Sequence, residues 1–364
     1  MLRRELGEAA PPEAELRAVT RAVGGLPLAL HLAAGYLRSG AYTAAAFLAA
    51  LRARGFDLTP VDRADPVWQT RSRGVVAEAF QISRKLFLAG AGTRGAPWSA
   101  ALAALGWSPL SGFGRELGAA ISGLTADDFA PFLHAAESLA LVRRGASAPR
   151  GRAAWSVHPL LAEFLRGDVD RAEVDQRIER WLVTYGDRGD DRRAERWAVL
   201  SSESAAIHAW LRPLDVHAVA RVVPACWEYA ASHGPVEPWL EAARRACRQA
   251  DAAIVRRCAW AWAQLARRVG AHAEVLEAAT VLSSAGDGDR DAGLAAGLRA
   301  DILAARGELD EALRIRREDE LPVYERLGDV RSKAVTMGKI ADILADRGEL
   351  DEALRIRRED ELPV

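Results

Sequence analysis

Asp301–Val323 reads DILAARGELDEALRIRREDELPV, and Asp342–Val364 reads DILADRGELDEALRIRREDELPV. The two stretches begin 41 residues apart (342 − 301) and differ only at Ala305 versus Asp346, so one unit has been duplicated. Within the second copy, Ile340, Ile343 and Leu344 fall at helical spacing, Gly348 breaks the pattern, and Leu350, Ala353 and Leu354 resume it. The unit is therefore expected to be a helix, a tight turn and a second helix. Ala341, Gly348 and Ala353, echoed by Ala300, Gly307 and Ala312, are expected where the two helices approach closely. One such pair cannot bury its apolar face alone, so neighbouring units should share a core and leave a concave face for a protein partner. The string Arg314-Ile-Arg-Arg-Glu-Asp-Glu and its repeat place Arg314, Arg317, Arg355 and Arg358 as candidate protein-binding residues. Mixed charges on a helix surface also pair along the helix and solvate it, and both readings stand at this stage. The sequence ends at Val364 inside the second unit, where the first continues with Tyr324-Glu-Arg-Leu-Gly, so the array is expected to run on.

These intervals of small residues and glycine resemble the tetratricopeptide repeat. The 41-residue period is longer than that repeat's usual 34 and is similar to the extended variant of kinesin-light-chain-like and bacterial signalling proteins. The usual tryptophan and tyrosine positions are not kept.

At 364 residues the chain has room for several domains. Its 49 basic and 50 acidic residues are interspersed for a net charge of −1, which excludes a global field attracting nucleic acid or anionic lipid. Only Lys85, Lys333 and Lys339 are lysines, so arginine abundance reads as a compositional bias. No apolar run reaches the roughly 20 residues of a spanning helix, and a soluble, cytoplasmic chain with no membrane partner is expected. Cys226, Cys247 and Cys258 lack the spacing of a disulfide framework or zinc site and read as buried thiols.

Toward the N-terminus, Glu13–Ala22 has a helical pattern and leads into Gly24-Gly-Leu-Pro-Leu-Ala-Leu, whose proline opens a new helix over His31–Leu37. Ala77–Leu88, Ser99–Leu105 and Ala126–Leu139 read as helices, the last opened by Thr125 with Asp128 three residues on. Ala140–Arg143 and Ala154–Val157 flank Gly145-Ala-Ser-Ala-Pro-Arg-Gly as a hairpin, and Val157-His158-Pro159 follows directly. This wording resembles the GLPL-containing module of the NB-ARC, or STAND, family, shared by apoptotic-protease activating factors, plant resistance proteins and bacterial signal-transducing ATPases. The resemblance covers roughly residues 13–168. It implies a winged-helix domain after the helical region. It also implies that Pro27 packs on adenine and that His158, at the family's MHD motif, touches the β-phosphate of ADP. Pro159 stands where that motif ends in aspartate.

The chain carries no GxxxxGK[ST] loop, and its one Gly-Lys pair, Gly338-Lys339, lies in a repeat helix. Gly90-Ala-Gly-Thr-Arg-Gly95 matches the dinucleotide pattern but follows a helical segment, and reads as a loop. There is no HExxH, no Cys/His cluster and no GxSxG. No enzyme activity is expected of this chain. ADP or ATP is expected only with a nucleotide-binding domain that the chain lacks.

Between these regions, Trp181, Trp197, Trp210, Trp227, Trp239, Trp260 and Trp262 at helical spacing read as core. Pro224, Pro235 and Pro238 are expected to punctuate helices. Ser283–Arg290 reads as a loop, in which Asp287, Asp289 and Asp291 mimic part of a calcium site but Ala292 and Leu298 stand where its glycine and glutamate belong.

The expected fold is mainly α: a helical region over 1–60, a winged-helix-like domain with a small β-hairpin over 61–168, an irregular helical bridge over 169–290 and an α-superhelix of repeat pairs over 291–364. Three functions fit. The first is the sensor side of a STAND-type ATPase, clamping nucleotide held by a separate domain and binding protein through its repeats. The second is a repeat adaptor independent of nucleotide. The third is a winged-helix DNA-binding regulator, opposed by Asp127, Asp128 and Glu137 on the helix that would enter the groove.

Overall fold

The computed structural model describes residues 1–40, 43–53, 66–145, 154–186, 192–249, 252–285 and 288–359. The chain is mainly helical, with one two-stranded antiparallel sheet among the described residues. It divides into two compact units, Met1–Trp181 and Leu182–Val364. No helix among the described residues is long and apolar enough to cross a membrane.

The first unit contains α1 (Leu2–Leu6), α2 (Glu13–Ala22), α3 (Pro27–Arg38), α4 (Ala44–Ala53), α5 (Pro66–Ala91), α6 (Gly95–Leu105), α7 (Arg115–Ser122), α8 (Ala126–Ser138), β1 (Arg143–Arg144), β2 (Trp155–Ser156), α9 (Pro159–Leu165) and the first part of α10 (Arg171–Gly186). Helix α3 packs on α1 and α5, and α2 on α4. The core beside the sheet is aromatic: Phe87 stacks on Trp98 at 5.1 Å between centroids, and Phe132 meets both edge-on at 5.5 and 5.6 Å.

Helix α8 opens as its sequence predicts. Thr125 Oγ1 accepts from the Asp128 amide at 3.1 Å and donates to the Asp128 carboxylate at 2.7 Å. Helix α7 is an addition to the sequence reading; its buried Leu117 and Ile121 are four residues apart and face the core. The hairpin is shorter than expected, with Arg143 opposite Ser156 and Arg144 opposite Trp155. The reason lies at the end of α8. Ala140 takes a left-handed turn (φ 60°), and the Leu141 and Val142 amides both donate to Ala136 O at 2.9 and 3.3 Å, so they close the helix instead of extending the strand. Phe113, just before α7, pairs with Trp155 through two 2.8 Å backbone hydrogen bonds and adds a third line to the sheet. Residues 146–153 of the expected hairpin loop, and the 60/61 boundary, lie outside the described residues.

The second unit contains the rest of α10, then α11 (Arg193–Ser202), α12 (Ser204–Leu211), α13 (Val216–His233), α14 (Glu237–Gln249), α15 (Ala252–Arg268), α16 (His272–Ala285), α17 (Asp289–Ala305), α18 (Leu309–Ile315), α19 (Leu321–Leu327), α20 (Val330–Asp346) and α21 (Leu350–Glu359). A single π-helical turn, Arg316–Glu320, joins α18 to α19. Pro322 follows it and lacks an amide donor, the kind of interruption that a wider turn absorbs. Consecutive helices pack on one another from α13 to α18 and again for α20 on α21. Trp197, Trp210, Trp239 and Trp262 are buried, as are the free thiols Cys226, Cys247 and Cys258. Burial pushes the Cys226 thiol up, which makes it unreactive.

Three local expectations need correcting. Pro224 lies inside α13 and does not end it, because burial of Val219, Val222, Val223 and Cys226 around it outweighs the roughly 3 kcal/mol a helical proline costs. The loop expected from Ser283 starts later: Ser283 and Ser284 close α16 by donating to Thr280 O and Val281 O at 3.0 and 3.1 Å. Gly307 and Gly348 are not close-approach sites, since an added Cβ would meet nothing within 4 Å; both adopt φ above +80° at the turn after a helix. The alanines expected there, Ala300, Ala312, Ala341 and Ala353, are buried.

Helices α17 and α20 start 41 residues apart (289 and 330) and end 41 apart (305 and 346), so the duplication is carried into the backbone. Ala312, Leu313, Ile340, Ala341, Ile343, Leu344, Ala353 and Ile356 form one cluster across the two copies.

Candidate functional site

Pro27 is exposed and occupies the first turn of α3, where its fixed φ suits a helix start and its missing amide leaves nothing unsatisfied. One turn later on the same face, His31 Nδ1 lies 3.0 Å from Glu5 Oε2. Arg38 donates to Glu5 O at 3.3 Å, so Glu5 ties α1 to α3 at two points. One further turn along α3, Gly35 meets the far end of α8. A Cβ there would stand 2.6 Å from Leu139 C and 2.8 Å from Leu139 O, both backbone atoms. Only glycine permits this approach.

That contact lies at the start of the path to the hairpin. The chain leaves Leu139 through the Ala140 turn into β1, and Arg143 pairs with Ser156 of β2, two residues before His158. His158 Nδ1 accepts from the Leu160 amide at 3.2 Å and caps α9, whose first residue is Pro159. With Nδ1 accepting, the neutral ring carries its proton on Nε2 and presents it as a donor. Burial lowers the proton affinity of His158 below the usual histidine range, and the charges of Arg143 and His31 lower it further. The charges of Arg143 and His31 both act on His158, although the three residues come from separate elements. With its proton affinity lowered, His158 is an uncharged hydrogen-bonding group at neutral pH.

The sequence reading named Pro27 and His158; His31 and Arg143 were missed. His31 was legible as the residue four after Pro27, and Arg143 as the strand residue facing the end of β2. Neither carries a motif. Replacing Gly35 with valine is expected to push α3 off the Leu139–Ala140 turn, destabilise the first unit by about 1–3 kcal/mol and move the ring-proton resonances of His158. A variant with unchanged melting and an unchanged His158 spectrum would exclude this coupling.

The other candidate residues lie elsewhere. Arg314 forms a two-pronged pair with Glu311 (2.9 and 2.7 Å) and reaches Glu318 at 3.1 Å; Arg355 pairs with Glu352 at 2.9 Å through both nitrogens. Arg317 and Arg358 are exposed. Two of the four arginines are therefore engaged along their own helices. Gly90–Gly95 is not the loop expected: it covers the end of α5, a 3-10 turn at Gly92–Arg94 and the start of α6, with Arg94 over the Trp98 ring at 4.9 Å. Asp289 lies 3.4 Å from Arg326 and Asp291 2.6 Å from Arg256, while Asp287 lies outside the described residues. Among the described residues, no group of three or more His, Cys, Asp or Glu side chains is placed to hold a metal ion. A cleft of about 380 Å³ between α3, α4 and α5 is lined by Tyr36, Ala46, Ala50, Glu78, Lys85 and Leu86. Tyr36 is about 13 Å along α3 from Pro27, and Pro27 does not line the cleft.

No family model, no curated protein and no solved structure matches the chain.

Proposed function

We propose that this chain is the regulatory side of a STAND-type nucleotide switch, a clamp that closes over ADP held by a separate phosphate-binding domain and a repeat scaffold that binds a protein trigger. The observation that carries this reading is the seating of Gly35 on the Leu139–Ala140 turn, which couples the helix begun by Pro27 to the hairpin and thence to His158. The order α6, the Phe113 bridge, α7, α8, β1 and β2 supports a winged-helix domain, and the duplicated pairs α17–α18 and α20–α21 support tetratricopeptide-type repeats. In this reading Pro27 packs on the base, and the Nε2–H of His158 donates to the β-phosphate.

The adaptor reading draws on a different observation. Leu327, Val330 and Val335 are exposed within nine residues (327–335), a concentration suited to a protein partner with or without nucleotide. The DNA-binding reading is disfavoured by the exposed face of α8, where Asp127 and Asp128 would meet phosphate.

The test is a titration of the chain with ADP and with adenosine, followed through the ring protons of His158. ADP is expected to shift them with a dissociation constant on the order of 1 mM, the scale of a site lacking its phosphate loop, and adenosine is not. Pro27→Ala should weaken the response, and His158→Ala should weaken ADP binding measured by calorimetry. No shift with ADP would leave the adaptor reading in front.

A further inference from the structure

The two arginines of β1 lie on opposite faces of the hairpin. Arg144 stands opposite Trp155, lies over its ring at 5.5 Å and pairs with Glu137 at 3.1 Å. Arg143 stands opposite Ser156, and directly opposed residues of an antiparallel pair share a face. Burial alternates along the second strand: Trp155 and Val157 are buried, whereas Ser156 and His158 are half-buried. Ser156 and His158 therefore both lie on the outer face, His158 about 7 Å further along the chain, within reach of a long arginine side chain. The charge of Arg143 accordingly acts on His158. Arg143 is exposed, and among the described residues neither its guanidinium nor the Ser156 hydroxyl takes part in a side-chain hydrogen bond or ion pair. The ring of His158 is held through Nδ1 by the Leu160 amide, which leaves its Nε2–H as a donor. Glu5, the carboxylate that meets His31, is engaged there by His31 and Arg38. One face of the hairpin thus carries a guanidinium fork, a hydroxyl and an imidazole N–H, a donor set that matches the oxygens of a phosphate.

We propose that Arg143 and Ser156 join His158 in holding a phosphate group on the outer face of the hairpin. Arg143 supplies the charge and a two-pronged contact, and Ser156 and His158 each donate one hydrogen bond. The proposal deepens the nucleotide reading above and rests on it for the role of His158. It does not depend on Pro27 or on the base, so a phosphate compound without a base tests it separately.

The probes are inorganic pyrophosphate and ADP, titrated separately into the full chain at low ionic strength and read through the His158 ring protons and by calorimetry. Both are expected to shift those protons. Arg143→Ala should weaken pyrophosphate binding about tenfold or more, the change that one charge-assisted hydrogen bond supplies. Arg143→Lys keeps the charge but loses the fork, and should weaken it less. Ser156→Ala should cost about threefold. Because Arg143 is exposed, its variants should keep the melting temperature of the wild type. Arg144→Gln removes a charge from the same strand on the other face, and should bind pyrophosphate as the wild type does. Equal losses from Arg143→Ala and Arg144→Gln would assign binding to the overall charge of the hairpin and overturn the proposal. So would the absence of any shift with millimolar pyrophosphate, or ADP binding that Arg143→Ala leaves unchanged; the last result would leave the nucleotide reading standing. Pyrophosphate binding as tight as that of ADP and indifferent to Pro27→Ala, but lost in Arg143→Ala, would sink the base contact and support the phosphate site.

Discussion

Replacing Arg316 with alanine is expected to destabilise the Leu182–Val364 unit by about 3–5 kcal/mol, whereas Arg357→Ala should change it by less than about 0.5 kcal/mol. The two arginines hold the same position in the duplicated sequence, and both pair with the same aspartate of their own copy, Asp301 and Asp342. Their surroundings differ. The Arg316 side chain is 5% exposed and also pairs with buried Glu320, whose other oxygen accepts from Thr336 Oγ1 at 3.0 Å. The Arg357 side chain is 47% exposed. Removing Arg316 leaves the Glu320 carboxylate buried without its cation; removing Arg357 exposes a pair already in water.

Burial raises the proton affinity of Glu320 above the usual carboxylate range, and the charge and hydrogen bond of Arg316 are the main influences holding it down. Without Arg316, folded Glu320 should keep its proton at a pH where the unfolded chain has lost it. The folded state then binds more protons than the unfolded state, so the variant should recover stability as pH falls from neutral toward the ordinary carboxylate range. Urea unfolding of Arg316→Ala and Arg357→Ala across that range checks both statements. Equal losses from the two substitutions, or no recovery in acid, would show that the Arg316 cluster is not desolvated.

Trp262→Ala should remove about 3–5 kcal/mol from the same unit. The ring is fully buried, and its Nε1 donates to Glu274 Oε2 at 3.0 Å. Glu274 also takes both prongs of Arg244 at 3.1 and 2.7 Å, and Arg248 lies over the Trp262 ring at 5.8 Å while pairing with Glu277. Burial alone would raise the proton affinity of Glu274; the Arg244 and Trp262 hydrogen bonds more than offset it and hold the carboxyl below its usual range. That depressed folded-state affinity contributes stability above the ordinary carboxylate range and loses it as pH falls through the folded value. Trp262→Phe keeps most of the volume and leaves Arg244 on Glu274, so a smaller loss of about 1–2 kcal/mol is expected. Thermal melts of the two variants separate the contributions of volume and hydrogen bond. A phenylalanine variant as unstable as the alanine one would assign the effect to the Nε1 hydrogen bond instead of the cavity.

The candidate site was legible only in part. Pro27 and His158 stand out because a proline after two glycines and a histidine before a proline are local signals of helix starts. Their companions His31 and Arg143 carry no such signal. What joins them is the meeting of Gly35 with the backbone of Leu139, residues 104 apart (139 − 35), and no pattern along the chain encodes that contact. The π-helical turn at Arg316–Glu320 was likewise invisible beforehand, because its sequence is helical by propensity on either side of it.

Readable along the chain were the duplication, the helix starts at Pro27 and Ala126, the Thr125 cap and the buried tryptophans. All of these follow from the period of apolar residues and from side chains that satisfy nearby backbone groups. Only the fold shows that Leu313 lies under α20, that Arg316 is buried with Glu320, and that the charges of Arg143 and His31 act on His158. Periodicity reports which face of an element is apolar, but burial and charge environment depend on what lies across from that face.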